Sequence, residues 1–227
     1  MRRVGGWDPF NVTEDTDIGI RLVRCGYRIR TIDSTTYEEA PAKFMPWLRQ
    51  RTRWFKGWIQ TFLVHMRAPR RLLGELGLRG FLAFQLLVGG TVLAALVHPF
   101  FLGLVLYDVA SGVFSVPSEI TPEGLRRGLA LTVLAAGYAG SALIDLIGLK
   151  RRRMLRLAPV LVTIPVYWLL LSLAAWRALF QFLFAPHKWE KTEHGLARTS
   201  RRHKPDRPAR PVRVDASGRP QPAPRYA

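Results

Sequence analysis

The sequence predicts an α+β fragment joined to membrane helices, and three observations predict it. Residues 1–43 carry a helical pattern followed by an alternating one. Residues 44–67 place aromatic and apolar side chains at helical steps with basic ones between them. Beyond residue 81 the chain holds apolar runs of bilayer length, while Lys and Arg crowd the two ends.

The uneven charge sets the class of partner. A formal net charge of +18 at pH 7 calls for an anionic partner: nucleic acid, lipid headgroups or a phosphorylated substrate. Cys25 is the single cysteine, so neither an internal disulfide nor a thiolate metal cluster can form. Met1-Arg2-Arg3 runs into Gly, Trp, Asp and Pro rather than an apolar stretch, so nothing there reads as a secretory signal.

Within 1–43, "DTDIGIRLVRCGYRI" sets Ile18, Leu22 and Val23 at helical spacing. Thr13 or Asp15 serves as the cap, with acids in the first turn, and Gly26 stops the helix. "YRIRTID" then alternates as a short strand. One helix and one strand cannot close a sheet and core, so the sequence reads as beginning partway through a domain.

Residues 44–80 form an amphipathic interfacial helix and a linker. Phe44, Trp47, Leu48, Trp54, Phe55, Trp58 and Ile59 recur at three-, four- and seven-residue steps. Arg49, Arg53, Lys56 and Gln60 fall largely between them. An aromatic stripe beside a basic face suits a bilayer interface.

Residues 81–107 carry no formal charge over about 27 positions, more than the roughly 20 a membrane-spanning helix needs. Residues 108–127, with acids and prolines, read as a loop outside the membrane. A second span follows at 128–149, then the basic loop 150–156 on the cytoplasmic side. Residues 157–185 are apolar but broken by Pro159, Pro165 and Arg177, and read as a re-entrant or interfacial segment or a third span. The re-entrant form keeps both termini cytoplasmic. The stretch 186–200 is polar, and the Pro/Arg-rich tail 201–227 has the composition of a disordered segment.

Two short motifs carry chemistry. "TED" (Thr13, Glu14, Asp15) is either a helix start whose acids oppose the macrodipole or a carboxylate held there as a general base. In "QRTRW", Gln50, Arg53 and Trp54 share one helical face. They are either interfacial anchors or a guanidinium for a diphosphate beside an aromatic plate for a sugar. Nucleic-acid binding would use the same residue types, but the spans that follow directly argue against it.

Taken together, "GGW" (Gly5, Gly6, Trp7), "TED" and "QRTRW", which fits a Q-x-x-R-W pattern, resemble the membrane-integrated family 2 glycosyltransferases. That group contains cellulose, chitin and hyaluronan synthases. The order of soluble segment, interfacial helix, paired spans and cytosolic segment matches over roughly residues 1–200. The resemblance implies that 1–43 is the C-terminal remnant of a GT-A-type α/β catalytic domain. It implies Asp15 as general base with Glu14 in support, and Gln50, Arg53 and Trp54 at the acceptor end or the donor diphosphate. Trp7 and Thr13 fall with them on the acceptor- and donor-binding side. "HKWEKTEHG" is either a polar post-membrane loop or a gating-loop-like segment closing Trp189, Lys191 and Thr192 over the nucleotide.

The reaction so implied is inverting transfer from a nucleotide sugar, a UDP-sugar, to a growing β-linked glycan at the inner (cytoplasmic) membrane. A divalent metal, Mg or Mn, is expected for the full enzyme, its Asp-x-Asp ligands absent from this chain. "DTD" (Asp15-Thr16-Asp17) matches that pattern in letters but belongs to the base motif, so no metal ligand is assigned. The nucleotide-binding half is missing too, which reads as a truncated gene or a misassigned start and a chain inactive alone. The alternative is a non-catalytic membrane remnant or a channel-forming partner of a complete enzyme. A basic-tailed lipid adaptor ranks last, because it has no need of both motifs at this spacing.

Overall fold

In a computed structural model, the structure describes residues 4–8, 11, 13–32, 34, 40–112 and 121–188. Six α-helices follow in order among them: α1 (Glu14–Arg24), α2 (Phe44–His65), α3 (Pro69–Phe84), α4 (Thr91–Ala110), α5 (Pro122–Arg151) and α6 (Ile164–Phe184). A π-helical turn, Gln85–Gly90, joins α3 to α4, and a 3₁₀ stretch, Leu155–Thr163, leads into α6. Helix α3 bends at Gly77, whose φ of 66° and ψ of 170° leave the helical region.

The α+β expectation is corrected. Every regular element among the described residues is helical, which conflicts with a GT-A α/β remnant. Residues 27–32 of the alternating stretch form no strand. Alternation yields a strand only where a neighbouring strand takes up the backbone hydrogen bonds. Here Ile29 is 56% and Ile32 83% exposed, so the side chains of this pattern do not share one buried face.

Three stretches are long and apolar enough to cross a membrane by length and composition: Pro69–Ala110, Pro122–Arg151 and Leu155–Phe184. Helix α5 begins inside the stretch read from sequence as a loop. Thr121 Oγ1 accepts from the Gly124 amide at 3.1 Å and Pro122 occupies the first turn, a favourable helix start. His98 of α4 meets Tyr138 Oη of α5 through Nε2 at 2.7 Å and lies edge-on to Trp168 of α6. This polar and aromatic knot ties the three apolar helices together.

Two apolar clusters place α2 at the centre. Leu48, Phe55 and Ile59 of α2 pack on Ala174, Ala175 and Ala178 of α6, where small side chains let the helices approach closely. Leu72, Phe84 and Val88 form the second cluster, with Ile20 of α1 and Trp58 and Phe62 of α2 against it. Helix α2 is therefore covered on one side by α6 and on another by α1 and the start of the first apolar stretch. Residues 113–120 of the expected outside loop, Trp189, Lys191, Thr192 and the tail 201–227 lie outside the described residues.

Candidate functional site

Helix α1 starts with Glu14, Asp15 and Asp17 in its first turn, where carboxylates oppose the positive end of the macrodipole. Thr13 holds the N-cap position, but its hydroxyl makes no capping bond. It lies 3.4 Å from Asn11 Oδ1, which also accepts from the Thr13 amide at 3.0 Å. The helical turn then divides the acids. Glu14 and Asp15 are exposed, whereas Asp17 is 4% exposed. Asp15 Oδ1 accepts from the Thr16 amide at 2.7 Å, which folds the carboxylate back over the helix start.

One close approach and two polar contacts seat the start of α1 on α2. Thr13 lies directly on Gly57: a Cβ built there would come within 2.8 Å of the Thr13 amide nitrogen. Only a residue without a Cβ permits that approach. Asn11 Nδ2 donates to Thr61 Oγ1 at 2.8 Å, and Asp17 Oδ1 lies 3.0 Å from His65 Nε2. Gly57, Thr61 and His65 stand four residues apart and form one stripe along α2. Continued toward the N-terminus, that stripe reaches Arg53, with Gln50 and Trp54 beside it. The start of α1 and the helix that carries "QRTRW" therefore meet at Thr13 and Gly57, three residues beyond Trp54.

The Gln50, Arg53 and Trp54 side chains are all half-buried. One face of the Trp54 ring is covered by the Arg51 guanidinium, 4.3 Å from the ring centre, a cation–π contact within the helix. Trp7 is 55% exposed, and the preceding Gly5 and Gly6 have φ of 78° and 70°. Those left-handed glycines shape a turn that presents the Val4 carbonyl to Arg21 Nη1 at 2.6 Å.

The buried charges behind α1 escape a sequence reading. Asp17 accepts from Arg21 Nε at 2.7 Å as well as facing His65. His65 Nδ1 lies 2.8 Å from Arg24 Nη1, and Arg24 Nε donates to Glu75 Oε2 at 2.6 Å. A guanidinium only donates, so Nδ1 carries the lone pair and Nε2–H donates to Asp17. Burial, the largest influence, outweighs the Asp17 carboxylate and lowers the His65 pKa below its ordinary 6.5. The ring is neutral at pH 7, as this tautomer requires. The signal for these contacts is the stripe of small and polar residues, Gly57, Thr61 and His65, at four-residue steps on α2.

Lys56 corrects the expected basic face. It is 2% exposed, and its Nζ donates to the carbonyls of Ala185 at 3.1 Å and Lys188 at 3.0 Å. The end of α6 leaves carbonyls without helical partners and is electronegative, so a buried ammonium is well placed there. Arg177 of α6 likewise turns inward, donating to Thr52 Oγ1 at 3.2 Å. The exit of α6 is thus bound to the helix that carries Gln50, Arg53 and Trp54.

Beside Asp15 opens a cleft of about 540 Å³ between α1, Trp58 and the α3–π-turn wall. Asp15 and Thr16 stand at its polar edge; Ile20, Val23, Phe84 and Val88 line its interior. No group of three or more His, Cys, Asp or Glu side chains that could hold a metal occurs among the described residues. These residues do not fit a metal centre.

Known proteins share this sequence pattern. The family model described as "Glycosyl transferase family group 2" matches residues 1–187. A 58-residue stretch is 41% identical to the probable glycosyltransferase YdaM of Bacillus subtilis (strain 168), covering 25% of this chain and 14% of that protein. The chain therefore matches only a small part of that relative's length. No solved structure matches significantly.

Proposed function

Because the chain belongs to glycosyl transferase family group 2, we propose that it serves inverting sugar transfer at a membrane, from a nucleotide sugar to a hydroxyl acceptor on which a β-linked glycan grows. The contact of Thr13 with Gly57 carries this reading, because it joins the acid-bearing start of α1 to the Q-x-x-R-W helix. Asp15 is the general base. Its Oδ1 is engaged by Thr16, so Oδ2 takes the acceptor proton. The acceptor oxygen bonds to the sugar C1 as the bond from C1 to the diphosphate oxygen breaks. The electron pair leaves with the nucleoside diphosphate, and the configuration at C1 inverts.

Glu14 supports the negative field at the helix start, while Arg53 and Gln50 face the diphosphate or the acceptor end. Trp54, with one face backed by Arg51, offers its other face to a sugar ring. Trp7 is on the acceptor side, while Thr13, buried against Gly57, positions the start of α1 instead of touching the sugar. The donor is a UDP-hexose. A divalent ion, Mg or Mn, would neutralise the leaving diphosphate; the described residues do not hold it, and the steps above use this chain's own groups.

The membrane is the inner (cytoplasmic) one, and both termini lie on its cytoplasmic side, with Leu155–Phe184 entering and leaving on that side rather than crossing. Lys56 supports that arrangement, since it holds residues 185 and 188 beside α2 and so brings the exit of α6 to the helix that seats α1. Trp189, Lys191 and Thr192, which lie outside the described residues, are proposed to close over the nucleotide. The test is incorporation assayed in membranes containing the full-length protein, with a panel of radiolabelled UDP-sugars. Label should pass from one donor into a membrane-associated product. No incorporation from any nucleotide sugar above membranes lacking the protein would overturn the proposal.

A further inference from the structure

The cleft beside Asp15 is built for something other than a sugar. Its interior is supplied by Ile20 and Val23 of α1, Trp58 of α2, and Phe84, Leu87 and Val88 of the wall. A polyhydroxylated ring needs several convergent hydrogen-bonding groups, because each buried hydroxyl left unpaired costs about 1–3 kcal/mol. The hydrogen-bonding side chains lining this cleft are those of Asp15 and Thr16, adjacent on α1, and the single indole N–H of Trp58, too few for a sugar ring. The arrangement suits an amphiphile: hydrocarbon inside and one hydroxyl at the mouth.

The wall shows where such a molecule comes from. Gly80, Ala83, Phe84, Leu87 and Val88 all belong to the stretch Pro69–Ala110, which is long and apolar enough to cross a membrane. The same turns expose Leu82, Leu86 and Leu87 at 49%, 71% and 73%. The apolar surface thus continues from the outside of this stretch into the cleft. The π-helical turn Gln85–Gly90 lies in this wall, and such turns frequently mark functional sites.

We propose that the cleft holds the hydrocarbon chain of a hydroxyl-bearing lipid, the first acceptor, whose hydroxyl lies at Asp15. The glycan is then primed on lipid. This rests on the assignment of Asp15 as general base, and it adds the class of molecule from which that base takes the proton.

The probe is a diacylglycerol with a photoactivatable diazirine midway along one acyl chain, in vesicles of phosphatidylcholine and phosphatidylglycerol containing the full chain. Labelled peptides should include Ile20, Val23 or Leu87. Ala83→Trp, which fills the cleft from its wall, should reduce that labelling by about an order of magnitude. Ala94→Trp, exposed on α4 and off the cleft, should leave it unchanged. In the wild-type chain, excess unlabelled diacylglycerol should compete, while excess phosphatidylcholine, which lacks a head-group hydroxyl, should not.

Cleft labelling unaffected by Ala83→Trp, or equal competition by both lipids, would overturn the proposal. Asp15→Asn separates the two assignments, because it should keep the labelling while losing transfer. Turnover retained in Asp15→Asn would remove the general base and leave lipid occupancy standing.

Discussion

Thr13 and Gly57 are in direct contact, and this contact sets the start of α1 on the helix that carries Gln50, Arg53 and Trp54. The Thr13 amide nitrogen would lie 2.8 Å from any Cβ at position 57, closer than packed side chains approach backbone. They are 44 residues apart in sequence, and two polar contacts beside them fall on the same stripe of α2: Asn11 on Thr61 and Asp17 on His65.

Gly57→Ala should therefore push the start of α1 off α2. Overpacking of this kind costs about 1–3 kcal/mol, and sugar transfer should fall along with thermal stability. Thr13→Ala removes the two side-chain atoms that such a Cβ meets, so the double variant should recover part of the loss. A double-mutant cycle on melting temperature checks this, with a coupling of at least about 0.5 kcal/mol expected.

The first-turn acids should separate by stability. Asp17 is buried against Arg21 and His65, and Asp17→Ala strands both, at a cost of about 3–5 kcal/mol. Asp15→Ala touches an exposed group and should stay within about 0.5 kcal/mol. Thermal unfolding in detergent distinguishes them, and equal losses would refute the division.

His65 gives the fold a pH dependence of definite sign. Its folded pKa lies below the ordinary 6.5, so between the two values the unfolded chain binds more protons and stability rises with pH. The contribution is complete above 6.5 and is lost as pH falls through the folded value. Asp17, Arg21 and Arg24 surround the ring, and burial outweighs the carboxylate among them. Melting temperature should drop on acidification below 6.5, and His65→Gln should flatten that drop.

Lys56→Met should loosen the end of α6. Two bonds from an ammonium to carbonyls are lost, each worth about 1.5–3 kcal/mol when a charged group takes part. The expected readout is faster proteolytic cleavage after Lys188 with α2 and α6 still protected. Cleavage at the wild-type rate would contradict the role given to Lys56.

Much of this was legible in the chain. Helical periodicity finds α1 and α2, and apolar length finds two membrane-compatible stretches outright, while Pro159, Pro165 and Arg177 make the third read as re-entrant or interfacial. The acids of the first turn and the Gln50, Arg53 and Trp54 face are local patterns, so they can be read locally. Lys56 was not readable in this way, because its partners lie 129 and 132 residues away and its neighbours suggest a solvated basic face. Helix α2 is packed on two sides, which a single amphipathic stripe does not reveal. The 27–33 alternation misled for the opposite reason: a period of two says nothing about whether a second strand is present. The cleft is assembled from three helices, and no single segment displays it.

The most direct test is Asp15→Asn in membranes carrying the full-length enzyme, assayed for sugar transfer and for donor nucleotide binding. A general base typically contributes about 10²–10⁴-fold, so transfer should fall by at least about 100-fold while nucleotide affinity stays near that of the wild type. Transfer within a few-fold of wild type would contradict the assignment of Asp15 and, with it, the proposed mechanism.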